Sequence, residues 1–189
     1  LQEEKPDLII NSSGPASVSS SIRNPFSDFK GSVVPHIFVL DGVRKYLPNC
    51  RYLFISSAAV YGNPKKLPIS EKDPADPISP YGYHKLICEK IAKEYSEIYN
   101  IKIAIVRIFS AFGPGLGKQI LWDIYQKARK NSAIELFGTG KETRDFIFID
   151  DISHAIDCII KNSSFNGEAI NIASGVEVEI KNLAELFNS

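Results

Sequence analysis

The sequence predicts an α/β fold built on a doubly wound, parallel β-sheet. Short apolar segments with the length of buried strands alternate with longer segments whose apolar residues recur at helical spacing. Parallel neighbours need connections of about a dozen residues or more, and the helices in such connections cover the faces of the sheet. The alternation therefore favours a layered α/β fold over an all-helical or all-β one.

Strands and helices follow one another along the whole chain. The predicted strands cover residues 7–11, 51–55, 103–107, 134–137, 145–149 and 169–172. The predicted helices cover residues 33–46, 83–99, 119–129, 152–161 and 181–187. Prolines are concentrated between residues 64 and 80 and mark an irregular connection. The periodicity of the 83–99 helix puts its charged residues on the solvent side: Glu89, Lys90, Lys93, Glu94 and Glu97.

Composition excludes several classes of protein. The 22 Lys and Arg residues balance the 22 Asp and Glu residues, so no net charge attracts the chain to nucleic acid or to an anionic membrane. No apolar stretch reaches the roughly 18–20 residues that a membrane span needs, and the first residues of the sequence do not have the layout of a signal peptide. The cysteines, Cys50, Cys88 and Cys158, are far apart and form no CxxC pair. We therefore expect no disulfide framework, no metal site and a cytoplasmic location.

Small or polar residues follow the first three predicted strands, in the segments 11–15, 56–59 and 108–110. In a doubly wound sheet, ligands bind beyond the carboxyl ends of the strands. These three segments therefore mark the edge of the sheet at which we expect the chemistry.

The strongest local motif is the segment 81–85, YGYHK. Residues four apart at the start of a helix lie on one face, so Tyr81 and Lys85 can point into the same cleft. A nearby ammonium favours the phenolate, and we expect it to lower the pKa of Tyr81 and to make this residue an acid/base group. The hydroxyl of Ser57, at a strand end, can pass a proton between a substrate oxygen and Tyr81. The alternative is that the tyrosine and the lysine belong to an ordinary amphipathic helix and that Ser57 satisfies backbone groups.

Three segments together identify a family. They are SSAAVYG at 56–62, SPYGYHK at 79–85 and RDFIFIDD at 144–151. This combination closely resembles the extended short-chain dehydrogenase/reductase family, the NAD-dependent epimerases and dehydratases of nucleotide sugars. The resemblance implies a Rossmann-type fold with a smaller C-terminal substrate lobe. It further implies NAD as the cofactor, with NADP not excluded, a nucleotide-diphosphate sugar as the substrate, and a homodimer formed through the helices 34–46 and 83–99. The alternative for the second helix is that its apolar residues all pack against the sheet: Leu86, Ile87, Ile91 and Ile98.

The resemblance assigns roles to individual residues. Ser57, Tyr81 and Lys85 match the catalytic set, and Lys85 would also hold the nicotinamide ribose. The cofactor would contact Ser13, Gly14, Pro15, Ser56, Tyr81, Lys85 and Phe109, and the substrate would contact Ser57, Ser110 and Arg144. Arg144 would pair with the substrate diphosphate, a role that suits a planar guanidinium. Its alternative role is a surface ion pair with Asp145.

The resemblance also implies a division of the chain. Residues 1–110 would be the second part of the NAD(P)-binding domain, and residues 111–189 mainly the substrate lobe, with Rossmann elements returning near 145–160. The glycine-rich turn that seats the cofactor pyrophosphate on a helix N-terminus is not in the sequence. We expect this turn upstream of Leu1, so that both parts are incomplete, and the absence of methionine from the whole sequence agrees with this expectation.

The implied activity is 4-epimerisation of a nucleotide sugar through a 4-keto intermediate. Ala58 and Ala59 stand where the 4,6-dehydratases of the family carry an Asp-Glu pair, which argues against dehydration. A 4-ketoreductase, a decarboxylase or a dehydratase of the same family remains the alternative. The alternative from another class is a non-enzymatic dinucleotide sensor, but a sensor would need no acid/base set such as Ser57, Tyr81 and Lys85.

Overall fold

The computed structural model describes residues 3–130 and 138–187, and these residues form a mixed α/β fold, as predicted. The elements in chain order are β1 (Leu8–Asn11), α1 (Val18–Arg23), α2 (Pro25–Tyr46), β2 (Arg51–Ser57), a 3₁₀ turn (Ala58–Tyr61), α3 (Pro80–Tyr99), β3 (Ile103–Ile108), β4 (Ser110–Phe112), α4 (Gln119–Arg129), β5 (Thr143–Phe148), α5 (Ile149–Asn162), β6 (Asn166–Ile172), β7 (Glu177–Glu179) and α6 (Ile180–Leu186). The predicted strand at 134–137 lies outside the described residues.

The chain forms two compact units. The first comprises Leu1–Ile108 and Cys158–Ile172, and the second comprises Phe109–Asp157 and Ala173–Ser189. The chain therefore leaves the first unit directly after β3 and returns to it late in α5, somewhat after the start of the predicted return near 145–160. The assignment of the two parts to cofactor and substrate stays a prediction.

Four parallel strands form the sheet of the first unit, in the order β1-β2-β3-β6. The predicted parallel sheet is thereby confirmed. In the register of the sheet, Phe54 of β2 lies opposite Asn11 of β1, and Ser57 lies opposite Ile108 of β3. Because the strands run in one direction, their carboxyl ends share one edge, and Asn11 and Ser57 both lie there.

The segment before residue 33 contains more helix than the apolar spacing predicts. The helix α1 was not predicted, and α2 begins at Pro25 rather than at residue 33. The hydroxyl of Ser17 accepts a hydrogen bond from the Ser20 amide, and the side chain of Asn24 accepts one from the Ser27 amide, at 3.2 and 3.1 Å. Serine and asparagine caps, with proline at the first helical position, are ordinary helix-start signals and locate both helices.

The core of the first unit joins α2 and α3 to the central strands. Its fully buried members include Leu40, Val43, Tyr52, Phe54, Cys88, Ala92 and Ile103. The three cysteines are free; Cys50 and Cys88 are buried and Cys158 is exposed. Across the described ranges, no helix combines the length and the apolar character required to span a bilayer.

The second unit contains a small mixed sheet. The strand β5 pairs in parallel with β4 and antiparallel with β7. Ile124 of α4 packs with Leu183 and Ala184 of α6. The strands β4 and β7 were not predicted, because three residues are too few to show an alternation of apolar and polar positions.

His36 is a buried histidine in the middle of α2, with no exposed surface. Its Nδ1 lies 3.1 Å from the Tyr52 hydroxyl, and its ring centroid lies 4.4 Å from that of Phe54. Burial lowers the pKa of His36 from 6.5 to about 4, because the charged imidazolium would lose its hydration. His36 is therefore neutral in the folded protein at neutral pH.

We expect the free energy of unfolding to fall as the pH is lowered from about 6.5 to about 4. In this window the unfolded chain binds a proton at His36 that the folded chain does not bind, and the total loss approaches about 3 kcal/mol. Urea unfolding at pH 7 and pH 4.5 measures this loss of unfolding free energy. In His36→Gln the difference between the two pH values should shrink, whereas in the exposed control His154→Asn it should not; an unchanged difference in His36→Gln contradicts the assignment.

Candidate active site

Ser57, at the end of β2, holds the turn that follows this strand. Its Oγ accepts a hydrogen bond from the amide of Ala59 at 3.2 Å and so caps the 3₁₀ turn. The phenol of Tyr81 on α3 lies close enough to the same hydroxyl for the two groups to interact. The structure thus brings together two of the predicted catalytic groups.

The first turn of α3 lies directly against the turn after β2. A Cβ at Gly82 would lie 2.5 Å from the carbonyl oxygen of Ala59 and 2.9 Å from the Cβ of Pro77. Ser79 caps the helix, since its hydroxyl accepts a hydrogen bond from the Gly82 amide at 3.2 Å. Only glycine allows this close approach of helix and turn, and the approach carries Tyr81 to Ser57.

The pKa of Tyr81 is raised in the structure. Burial of the phenol is the largest cause, the interaction with Ser57 opposes it, and the carboxylate of Asp28 adds to the increase. The expectation that Lys85 lowers the pKa of Tyr81 is therefore wrong for the chain by itself. A buried phenol loses the hydration that stabilises its anion, and here this loss outweighs the effect of neighbouring groups.

Lys85 is buried beneath the same edge of the sheet. Its Nζ donates a hydrogen bond to the carbonyl oxygen of Ile55 at 2.8 Å and lies 5.0 Å from the ring centroid of Phe54. Burial lowers the pKa of the ammonium. A lysine ammonium has three N–H donors, so two of them are left for a ligand beyond the bond to Ile55.

A buried ion-pair network lies behind this site. Ser56 Oγ donates to Glu89 Oε1 at 2.5 Å, and Arg107 Nη2 donates to Glu89 Oε2 at 2.7 Å. Arg107 Nη1 donates to the hydroxyl of Tyr61 at 2.7 Å. Burial acts to lower the pKa of Arg107, but the bonds to Glu89 and Tyr61 outweigh it and the pKa is raised. The expected exposure of Glu89 is wrong: this side chain is buried against an arginine of β3.

The network also fixes the proline-rich connection before α3. The hydroxyl of Tyr61 donates to Oδ1 of Asn171 in β6 at 2.8 Å. The Asn171 amide donates to Oε1 of Glu71 at 2.9 Å, and its side chain donates to the carbonyl oxygen of Ile69 at 3.2 Å. Elements far apart in the sequence are thereby joined around Arg107.

The loop predicted to lie along the cofactor follows β1. Oδ1 of Asn11 accepts a hydrogen bond from the Ser13 amide at 2.9 Å, and Ser13 and Gly14 are exposed. Gly14 has a φ of 111°, and a Cβ there would lie 3.1 Å from Oγ of Ser32. The loop, which ends in the partly buried Pro15, therefore leaves Ser13 and Gly14 accessible at the edge of the sheet that carries Ser57.

The remaining predicted residues belong to the second unit. Phe109 follows β3, Ser110 begins β4 and Arg144 lies in β5. Ser110 and Arg144 line one cavity of about 310 Å³, together with Gln119, Ile120, Glu142, Phe146 and Ile180. Arg144 is exposed, and its only described hydrogen bond goes to the carbonyl oxygen of Thr143, at 2.9 Å. Asp145 instead accepts hydrogen bonds from Ser174 and Gly175.

The model of the NAD dependent epimerase/dehydratase family matches residues 1–173. The chain belongs to this family.

Individual relatives have different reactions. The chain is 30% identical over 185 residues to a putative UDP-glucose 4-epimerase of Methanocaldococcus jannaschii. The aligned part is 96% of this chain and 60% of the relative. It is 26% identical to a dTDP-glucose 4,6-dehydratase of Xanthomonas campestris, over 94% of this chain and 53% of the relative. The solved structure of the epimerase Mth375 of Methanothermobacter thermautotrophicus is similar with a TM-score of 0.90 and 27% identity, over 98% of this chain and 57% of that one. The chain thus spans little more than half the length of these relatives.

Proposed function

We propose that the protein is a NAD-dependent nucleotide-sugar 4-epimerase. The observation that carries the proposal is the proximity of the Tyr81 phenol to the Ser57 hydroxyl, with Lys85 one turn further along α3. Ala58 and Ala59, directly after Ser57, have no ionisable group that could expel water from the sugar. The similarity to a putative UDP-glucose 4-epimerase supports the same reaction.

The residues at the sheet edge fit NAD. The two remaining N–H donors of Lys85 match the two hydroxyls of a ribose, and the accessible residues 13–14 can lie along a dinucleotide. Phe109 would contact the nicotinamide, and Ser56 would contact the cofactor through its main chain, since its hydroxyl proton is used by Glu89. When bound, NAD⁺ supplies the hydride acceptor for the carbon at C4, and the protein supplies orientation and electrostatics.

Tyr81 moves the proton in this mechanism. As the phenolate, Tyr81 takes the proton of the C4 hydroxyl of the sugar, directly or through Ser57. It returns the proton once the sugar ring has turned over in the site. The phenolate is disfavoured in the chain alone, because burial raises the pKa of Tyr81. The interaction with Ser57 opposes this cost, and the ammonium of Lys85 contributes positive charge at the same edge.

Arg144 is the residue that we propose for the substrate diphosphate. Its guanidinium is exposed and lines the 310 Å³ cavity that also includes Ser110. A planar guanidinium can bind two phosphate oxygens at once. Asp145 does not compete for it, because the Asp145 carboxylate is used by Ser174 and Gly175.

Product analysis of the full-length protein tests the function. Nucleotide sugars with UDP and dTDP are incubated without added oxidant or reductant, and the products are identified by NMR. We expect interconversion of C4 epimers. In a parallel incubation with added NADPH, stoichiometric consumption of NADPH would assign the protein to the reductases of the family. Loss of carbon dioxide or a 4-keto-6-deoxy product would assign it to the decarboxylases or the dehydratases. Tight binding of a nucleotide sugar without turnover would assign the protein to the non-enzymatic dinucleotide sensors.

We further propose that α2 and α3 form the contact of a homodimer. Both helices expose large apolar side chains, among them Phe26, Phe38, Ile87 and Ile98. Ile87 and Ile98 are therefore not used against the sheet, which the sequence leaves open. Exposed apolar faces of this kind are typical of interaction surfaces, and sedimentation equilibrium of the full-length protein measures the mass of the assembly.

A further inference from the structure

The first turn of α3 is held by a side chain of α1. The amide of Tyr81 donates a hydrogen bond to Oγ of Ser21 at 3.1 Å, although the two residues are far apart in the sequence. Ser21 is fully buried, and its hydroxyl donates in turn to the carbonyl oxygen of Val18 at 2.7 Å. Amides in the first turn of a helix have no partner within the helix. Ser21 therefore fixes the main chain at the residue that carries the catalytic phenol.

A second contact to the same turn comes from α2. Nδ1 of His84 donates to Oδ2 of Asp28 at 2.5 Å, and the two side chains are 12% and 2% exposed. The ring of Phe29 packs edge-on against the imidazole, with 5.4 Å between the centroids. Oδ1 of Asp28 is buried without a partner among the described residues. A buried carboxylate is costly unless it is paired, so the bond to His84 is the main compensation that Asp28 has.

The position of Asp28 relates it to the catalytic groups. The ionisable groups of α3 that its charge influences are Tyr81, Lys85 and Cys88. His84 lies between Tyr81 and Lys85 in the sequence, on the turn whose close approach to the end of β2 depends on Gly82. A rotation of this turn would separate Tyr81 from Ser57.

We propose that Asp28 is a positioning residue that acts through His84. The hydrogen bond between the two side chains fixes the orientation of the first turn of α3, and with it the distance between the phenol of Tyr81 and the hydroxyl of Ser57. The kinetic consequences of this proposal rest on the proposed function, but its structural consequence does not. The alternative is that the pair only contributes to the packing of α2 on α3.

Turnover of full-length variants distinguishes a positioning role of Asp28 from a role in helix packing alone. We expect Asp28→Ala and His84→Ala to lower kcat by about 10- to 100-fold with little change in KM, since a small misplacement of a catalytic group has this effect. His84→Asn keeps an N–H donor near the position of Nδ1 and should recover most of the loss. Asp41→Asn, which removes a carboxylate of the same helix that is 34% exposed and, among the described residues, bonds to none in the first turn of α3, should have no effect.

Amide hydrogen exchange provides a test that needs no substrate. We expect exchange at residues 81–83 to be about tenfold faster in Asp28→Ala than in the wild type or in Asp41→Asn. If the wild type converts no nucleotide sugar, the proposed function fails, but the exchange result still decides whether the pair fixes the turn. Unchanged exchange at 81–83 in Asp28→Ala overturns the proposal. If Asp28→Ala does not fold, the comparison of His84→Asn with His84→Ala decides, and equal kcat values in these two overturn it.

Discussion

Tyr81→Phe in the full-length protein should lower kcat by about 10²- to 10⁴-fold and leave NAD bound. The variant keeps the ring that fills the space beside Ser57, but it removes the hydroxyl that exchanges the proton with the sugar. Because the backbone bond from residue 81 to Ser21 and the helix cap at Ser79 do not involve the phenol, the fold should be retained. Turnover measured by NMR, with the cofactor content of the purified variant, checks both parts of this expectation.

A matched control for this variant is Tyr83→Phe. Tyr83 lies two residues further along the same helix and is 52% exposed, so the same loss of a hydroxyl occurs away from Ser57. Its kcat should remain within about twofold of the wild type, as expected for a surface change. Turnover that survives in Tyr81→Phe, or an equal loss in both variants, would remove Tyr81 from the mechanism.

Glu89→Ala should destabilise the fold by about 3–5 kcal/mol, because it leaves the buried guanidinium of Arg107 without its carboxylate. The same change removes the acceptor of the Ser56 hydroxyl. Glu97→Ala is the matched control on α3. Glu97 and its partner Lys93 are 63% and 60% exposed, and an exposed pair of this kind contributes no more than about 1 kcal/mol. Urea unfolding measures both variants.

A double variant separates the charge effect from the loss of packing. Glu89→Leu combined with Arg107→Met removes both charges and keeps most of the volume, so it should be less destabilised than Glu89→Ala. If Glu89→Ala and Glu97→Ala have similar free energies of unfolding, Glu89 does not compensate Arg107 in the manner that we describe.

The sequence predicts those features that depend on local spacing. The strands around Leu53 and Ile105, the amphipathic α4 and the placement of Ser57 and Tyr81 at one edge all follow from short patterns of apolar and polar residues. The buried position of Glu89 could not be predicted in this way. Helical periodicity counts a glutamate as exposed, and the arginine that compensates it comes from a strand further along the chain.

The pair of Asp28 and His84 was missed for a similar reason. Aspartate and histidine are residue types that are usually exposed, and only the packing of α2 on α3 brings these two together. The predicted direction of the pKa shift of Tyr81 was wrong. The motif shows that a lysine is near, but it does not show how deeply the phenol is buried, and burial has the larger effect on the pKa. Pairing and burial depend on contacts between distant parts of the chain, and such contacts leave no local pattern.

Deuterium at C4 of the sugar tests whether the protein epimerises C4 by removing and returning a hydride. A UDP-sugar deuterated at C4, such as UDP-glucose, is incubated with the full-length protein in ordinary water without added cofactor. We expect a C4 epimer that retains the deuterium, because the hydride leaves and returns at the same carbon, and we expect no epimer from Tyr81→Phe. A product that has lost the deuterium from C4, or a product whose C4 configuration is unchanged, would contradict this mechanism.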